Sequence, residues 1–195
     1  LKKIIDEGQL GKILHISFER TNLGPIRTDV NAAWDLSTHD LAILYSFLKS
    51  DPNEITVASK SFLNKDIQDL VNISLDFDEV FVTFFSSWLH PEKSRIIKVV
   101  GDKKMAVWNG LLPDQELKIF DKGVEINETS DYSINIFKIK SGDVHIPFIS
   151  KSEPLKNVVL DFYNRIVGED FNKINDQKLA LRVVKTMEEI NNIID

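Results

Sequence analysis

Cysteine is absent from the 195-residue chain, which excludes disulfides, thiolate zinc sites and a cysteine nucleophile. No run approaches the about eighteen apolar residues that a membrane-spanning helix needs. The opening stretch, LKKIIDEGQLGKI, lacks the apolar centre and cleavage site of a secretory signal. An initiator methionine is also missing, and the first residues read as the middle of a helix, not as the natural start of a protein. The eight glycines form neither G-x-G-x-x-G nor G-x-x-x-x-G-K-[ST], so no loop is built to cradle a phosphate chain. No G-x-S-x-G elbow is present to expose a serine nucleophile. His15, His39, His90 and His145 form neither H-x-x-x-H nor H-E-x-x-H, which leaves a metal site without local support. Basic charge is short as well: 24 Lys and Arg against 30 Asp and Glu give a net charge of −6. That balance argues against a nucleic-acid binder, which shows a basic stripe.

What remains is an ordinary soluble mixture, 43% hydrophobic and 28% charged, of a length that fits one core and one domain. With no cysteine and no targeting or membrane segment, the expected location is the cytoplasm. Residues 2–7 read as a helix end closed around Gly8 and Gly11. KILHISFER, residues 12–20, alternates as a strand does. After a polar loop with Gly24-Pro25, a helix is expected from Leu36 to about Leu48, stopped before Pro52. The middle of the chain is β: strands at 54–62, 70–77, 80–88, 94–101 and 105–108, then shorter ones at 117–120 and 124–126 joined by Asp121-Lys122-Gly123. Their short connections predict an antiparallel meander. Two helices close the chain. The first has Pro154 in its first turn, a stripe of Leu155, Val158, Val159, Phe162 and Ile166, and Gly168 as its stop. The second, over 175–194, carries Ala180, Val183, Val184, Met187, Ile190 and Ile194 at helical spacing. The expected fold is α+β, an open, predominantly antiparallel β-sheet with helices packed on one face.

One strand is apolar on both sides. In VFVTFF, Val80, Val82 and Phe84 alternate with Phe81 and Phe85, although a sheet with water on one face needs only one apolar set. Either a loop covers the second face, or that face is buried against another copy of the chain around Phe81, Thr83 and Phe85.

The segment VNAAWDLSTHDLAILYSFL, residues 30–48, sets Asp35 and His39 four apart where the apolar helix begins, so both lie on one helix face. Asp35 fits a helix N-cap, and His39 fits a partly buried histidine bonded to a neighbour. The pair also fits acid–base chemistry. A nearby carboxylate favours the charged imidazole while the helix N-terminus disfavours it, which holds the histidine near neutral pH.

Several stretches, in order, carry a resemblance: IIDEGQLGKILHISFER, then RTNLGPIRTDVNAAWDLSTHDLAI with its W-D-L-x-x-H-D motif, then SEPLKNVVLDFYNRIVGE and LALRVVKTMEEI. Together they resemble the C-terminal domain of the glucose–fructose oxidoreductase/inositol dehydrogenase family of NAD(P)-dependent sugar oxidoreductases. The resemblance implies that residues 1–195 are one substrate-binding and oligomerisation domain, that an N-terminal Rossmann domain absent from this chain holds NAD or NADP, and that hydride passes at a carbon of a sugar or nucleotide-linked sugar. His39 would be the acid/base or orient the reacting hydroxyl, with Asp35 as its carboxylate partner. Arg20, Asn22, Arg27 and Trp34 would contact substrate. The family's E-K-P lysine is not here, since Pro91-Glu92-Lys93-Ser94 is a different motif in a different place. The chain alone is therefore expected to bind no cofactor and no metal and to be inactive, whereas the full-length protein would be a homo-oligomeric dehydrogenase joined through the sheet face, with no nucleic-acid or membrane partner. Two other readings stay open: a non-catalytic assembly or binding module that kept the sheet, and a lyase or isomerase in which Asp35 and His39 work without a cofactor.

Overall fold

The computed structural model describes residues 1–127, 136–169 and 177–194. A short helix α1 (Lys2–Asp6), tied by a Lys2–Asp6 bridge of 2.7 Å, unwinds through Gly8 and Gly11 into β1 (Ile13–Leu23). Gly11 has φ +78°, and a Cβ there would lie 1.8 Å from Asp102 Oδ1. That oxygen accepts the next amide, Lys12 N–H, at 2.8 Å, so the turn closes onto the hairpin loop at Asp102. A π-helical turn (Ala33–Ser37) leads into α2 (Thr38–Phe47). The strands β2 (Glu54–Lys60), β3 (Leu70–Phe77), β4 (Val80–Ser87), β5 (Leu89–Gly101), β6 (Met105–Asn109), β7 (Leu117–Asn127) and β8 (Ile136–His145) follow. Helices α3 (Pro154–Val167) and α4 (Gln177–Ile194) complete the described chain; the expected first turn of α4, residues 175–176, lies outside it.

The fold is α+β with one eight-stranded open sheet, in the order β2-β3-β4-β1-β5-β6-β7-β8. Every neighbour pair is antiparallel except β1 and β4. The meander is thus interrupted by β1, which slots between β4 and β5. A parallel neighbour needs a crossover, and α2 supplies it by carrying the chain over one face before the β2–β3–β4 run returns to β1. Short turns cannot reveal such an insertion, because it depends on a partner 66 residues away: Ile16 pairs with Val82 and Phe18 with Phe84.

Period-two burial follows the sequence closely in the middle strands. Val71, Ile73, Leu75 and Phe77, with Val82, Phe84, Ile16, Phe18, Ile97 and Val99, are buried under the helices, and Phe18 and Phe84 stack 4.7 Å apart. Leu41 and Leu44 of α2 and Val183, Met187 and Ile190 of α4 close this core. Val184, one of the residues read as the apolar stripe of α4, is exposed instead. Helix α3 buries none of its residues: Leu155 (76% exposed), Phe162 (65%) and Ile166 (68%) present its whole stripe outward.

The two short strands expected at 117–120 and 124–126 are one strand. Asp121-Lys122-Gly123 does not turn but stays paired with β8, where Gly142 and Asp143 together oppose Asp121 in a bulge. The partner strand β8 was not legible, because Lys140-Ser141-Gly142-Asp143 has turn composition yet continues the strand through a bulge at Gly142 and Asp143. Lys140 reaches back to Asp121 at 2.7 Å, and this edge hairpin leaves Val124 and Ile139 exposed, so no buried face printed a clear alternation.

Candidate active site

The Asp35 segment is fixed from three sides before any ligand is considered. Asn31 accepts the Trp34 amide on its side-chain oxygen at 3.0 Å and donates through its side-chain nitrogen to Asn191 of α4 at 2.9 Å. The Ala32 amide donates to the Gln68 carbonyl at 2.9 Å. Beneath the turn, the Ser37 and Ser86 hydroxyls share a buried hydrogen bond of 2.7 Å. Asn31 is therefore the capping side chain, and Asp35 is released from the N-cap role. Residues 33–37 adopt the wider π turn, a geometry often found at functional sites because the inserted residue re-aims its side chain.

Asp35 has two partners. Its Oδ2 accepts the indole N–H of the fully buried Trp88 at 2.9 Å, and its Oδ1 lies 3.6 Å from an Arg27 guanidinium nitrogen. Among the described residues no hydrogen bond joins Asp35 to His39. The His39 side chain is exposed and makes no hydrogen bond or ion pair there, which sets aside its reading as a buried, satisfied histidine. Both residues line the same open cleft of about 500 Å³, together with Arg20, Thr21, Asn22, Leu36, Lys93, Ser94 and Arg95.

Arg20 is anchored. Its Nε donates to Asp40 Oδ2 at 2.9 Å and a terminal nitrogen to Oδ1 at 2.5 Å, with the side chains 15% and 5% exposed. This two-pronged geometry neutralises Asp40 inside the sheet–helix seam and points one edge of the guanidinium along the wall of the cleft. Asn22 buries a side-chain oxygen that has no partner. Its amide nitrogen would lie 2.3 Å from a Cβ at residue 24, so Gly24 is what lets Asn22 fold back over the loop. Arg27 spends its fork on Asp29, at 2.9 and 2.6 Å; that hydrogen bond holds the Asp29 carboxyl below its ordinary range and the Arg27 guanidinium above its own. Arg27 thus stands at the rim, touching Asp35. Trp34 is apart from the rest, lining a separate hollow with Asp29, Val30, Asp66, Ile67 and Gln68.

Of the six residues singled out in the sequence, the structure gathers Asp35, His39, Arg20 and Asn22 into one cleft, sets Arg27 at its edge and turns Trp34 away. It adds Lys93, Ser94 and Arg95 from β5, and the supporting pair Asp40 and Trp88. Asp40 had a readable signal: a carboxylate beside Leu41 and Leu44 on an apolar helix is buried only with a partner. The β5 residues had none, since they reach the cleft only through the β1–β5 pairing of Arg20 with Arg95 and Thr21 with Ser94.

The model of the GFO/IDH/MocA C-terminal domain matches residues 1–107. The chain belongs to the GFO/IDH/MocA family. Its fold is similar to that of UDP-N-acetylglucosamine 3-dehydrogenase from Acidithiobacillus ferrooxidans, at 16% identity and a TM-score of 0.73, covering 98% of this chain and 57% of that one. It is similar also to aldose–aldose oxidoreductase from Caulobacter crescentus, a glycerol complex, at 11% identity and a TM-score of 0.71, covering 98% and 56%. The chain therefore spans little more than half the length of these enzymes. No curated protein matches the sequence.

The GFO/IDH/MocA family is generally NAD(P)-dependent, with the cofactor bound mainly by the N-terminal domain. Among the described residues the cleft is lined by Arg20, Thr21, Asn22, Asp35, Leu36, His39, Lys93, Ser94 and Arg95, with no glycine to let a dinucleotide's pyrophosphate approach the backbone. Among the described residues no helix is long and apolar enough to cross a membrane.

Proposed function

We propose that this chain is the substrate-side domain of an NAD(P)-dependent oxidoreductase acting on a sugar or nucleotide-linked sugar, with the cofactor held outside it. The observation that carries the reading is the shared cleft, in which an exposed, unbonded imidazole and a carboxylate fixed by Trp88 open onto the same space. His39 takes the proton of the hydroxyl whose carbon is oxidised, and returns it in the reverse direction. Asp35 orients that hydroxyl and the imidazole once substrate displaces water, since apo hydrogen bonds at such sites tighten only in the complex. Arg20 and Asn22 supply donors and an unmatched acceptor for the sugar's other hydroxyls. The carbohydrate enzymes among the similar structures support this substrate class.

The test is an assay of the complete protein, cofactor domain included, with NAD and NADP against sugars and sugar nucleotides. Turnover of one of these classes is expected, and this chain alone should show neither turnover nor tight NADH binding in a fluorescence titration. A complete protein that turns over none of them contradicts the proposal and favours a non-catalytic assembly module, and tight NADH binding by this chain contradicts the placement of the cofactor outside it.

A further inference from the structure

The charges around the cleft do not cancel. The Arg20 guanidinium is taken by Asp40 and that of Arg27 by Asp29, while Asp35 shares the Arg27 charge at longer range. Lys93 and Arg95 are different: both line the cleft and both are exposed. Among the described residues neither has an acidic partner. A chain with a net charge of −6 thus gathers two uncompensated cations in the cleft that holds its candidate acid–base pair.

Their placement on β5 makes them one device. Arg95 pairs with Arg20, and Lys93 lies just beyond Ser94, where the β1–β5 register shifts. Both line the same cleft, and two residues of extended chain span roughly 6.6 Å, close enough for one phosphate or diphosphate group to bridge both. Ser94 lies between them and is itself buried, and its hydroxyl has no hydrogen-bond partner.

We infer that Lys93 and Arg95 form an anion subsite that selects a phosphate-bearing sugar, a phosphoester or a diphosphate-linked sugar, over a neutral one. This rests on the oxidoreductase reading and narrows its substrate class. The anionic group sits against the β5 cations while the sugar ring lies toward His39 and Asp35. Arg20 contributes its remaining guanidinium edge to the same group, because Arg20 and Arg95 face each other across the β1–β5 pairing.

The test needs no turnover, so its failure is separate from failure of the oxidoreductase reading. The full chain is titrated calorimetrically with inorganic pyrophosphate at low salt, as wild type, as Lys93→Ala/Arg95→Ala, and as the charge-keeping Lys93→Arg/Arg95→Lys. Saturable binding by wild type is expected, weakened about ten- to a hundredfold by the alanine pair, the scale of lost charge-assisted hydrogen bonds. The charge-keeping pair should stay within a few-fold of wild type, and binding should weaken as salt rises. Circular dichroism identifies a variant that has not folded, and single alanine variants then replace it. Absence of saturable binding by wild type, or equal binding by the alanine variants, overturns the subsite.

Discussion

At the scale of single residues, two hydrogen-bonded pairs decide what the cleft can do. Trp88 is buried and spends its only side-chain donor on Asp35. Replacing it by phenylalanine keeps an aromatic core while releasing the carboxylate. A hydrogen bond to a charged group is worth about 1.5–3 kcal/mol, so Trp88→Phe should lower kcat/KM of the complete enzyme by roughly ten- to a hundredfold with little change in the far-ultraviolet circular dichroism; unchanged kinetics would remove Trp88 from the site. The Arg20–Asp40 pair is structural first. Deleting Asp40 strands a guanidinium that is only 15% exposed, and breaking such a pair costs about 3–5 kcal/mol. Asp40→Ala should therefore move the urea midpoint strongly, whereas Asp35→Ala, on a carboxylate 27% exposed that caps no helix, should move it far less. The pair Asp35 and His39 was visible as a spacing, but the spacing alone suggested a direct contact. The π turn and the indole of Trp88, more than fifty residues downstream, give Asp35 other partners, and neither can be read from residues 30–48.

At the scale of elements, α4 is held to α2 by Tyr45, Thr186 and Arg182. The Tyr45 and Thr186 hydroxyls share a hydrogen bond of 2.5 Å. Arg182 lies 3.9 Å over the tyrosine ring and donates to the Ser50 carbonyl at 2.6 Å, near the open C-terminus of α2. Burial pushes the Tyr45 phenol above its ordinary 10.0. A group raised on folding gives stability that is fully present below its unfolded value and is lost as pH climbs through the folded one. The denaturation midpoint should accordingly fall as pH rises beyond about 10, and Tyr45→Phe should flatten that fall; an identical slope in the variant would locate the alkaline sensitivity elsewhere. The elements themselves were legible in proportion to how one-sided their burial is. Strands β3 and β4 and the buried stripe of α4 were plain, because Ile73, Val82 and Met187 alternate with polar or exposed neighbours. The hairpin β7–β8 was not, because its sides are both partly wet and Gly142 reads as a turn. The insertion of β1 was not, because parallel pairing leaves no local mark.

At the scale of the whole molecule, α2 and α4 cover one face of the sheet and leave the other to be accounted for. Phe81 is 47% exposed there, Phe85 is half-buried, and His15 stacks on Phe81 with its Nε2 3.1 Å from the Thr83 hydroxyl. This face is our proposed homo-oligomer interface. Polar replacement of Phe81 and Phe85 together should reduce the mass seen by light scattering without unfolding the chain; an unchanged mass would move the interface away from β4.

The cleft is our proposed place for a sugar hydroxyl to exchange its proton. The most direct measurement is the single-turnover rate of NAD(P)-linked oxidation by the complete protein, wild type against His39→Ala, with saturating substrate. Loss of acid–base help predicts a fall of about two to four orders of magnitude in a protein that still folds and still binds substrate. A rate unchanged by removal of the imidazole would contradict the role given to His39 and, with it, the assignment of the cleft.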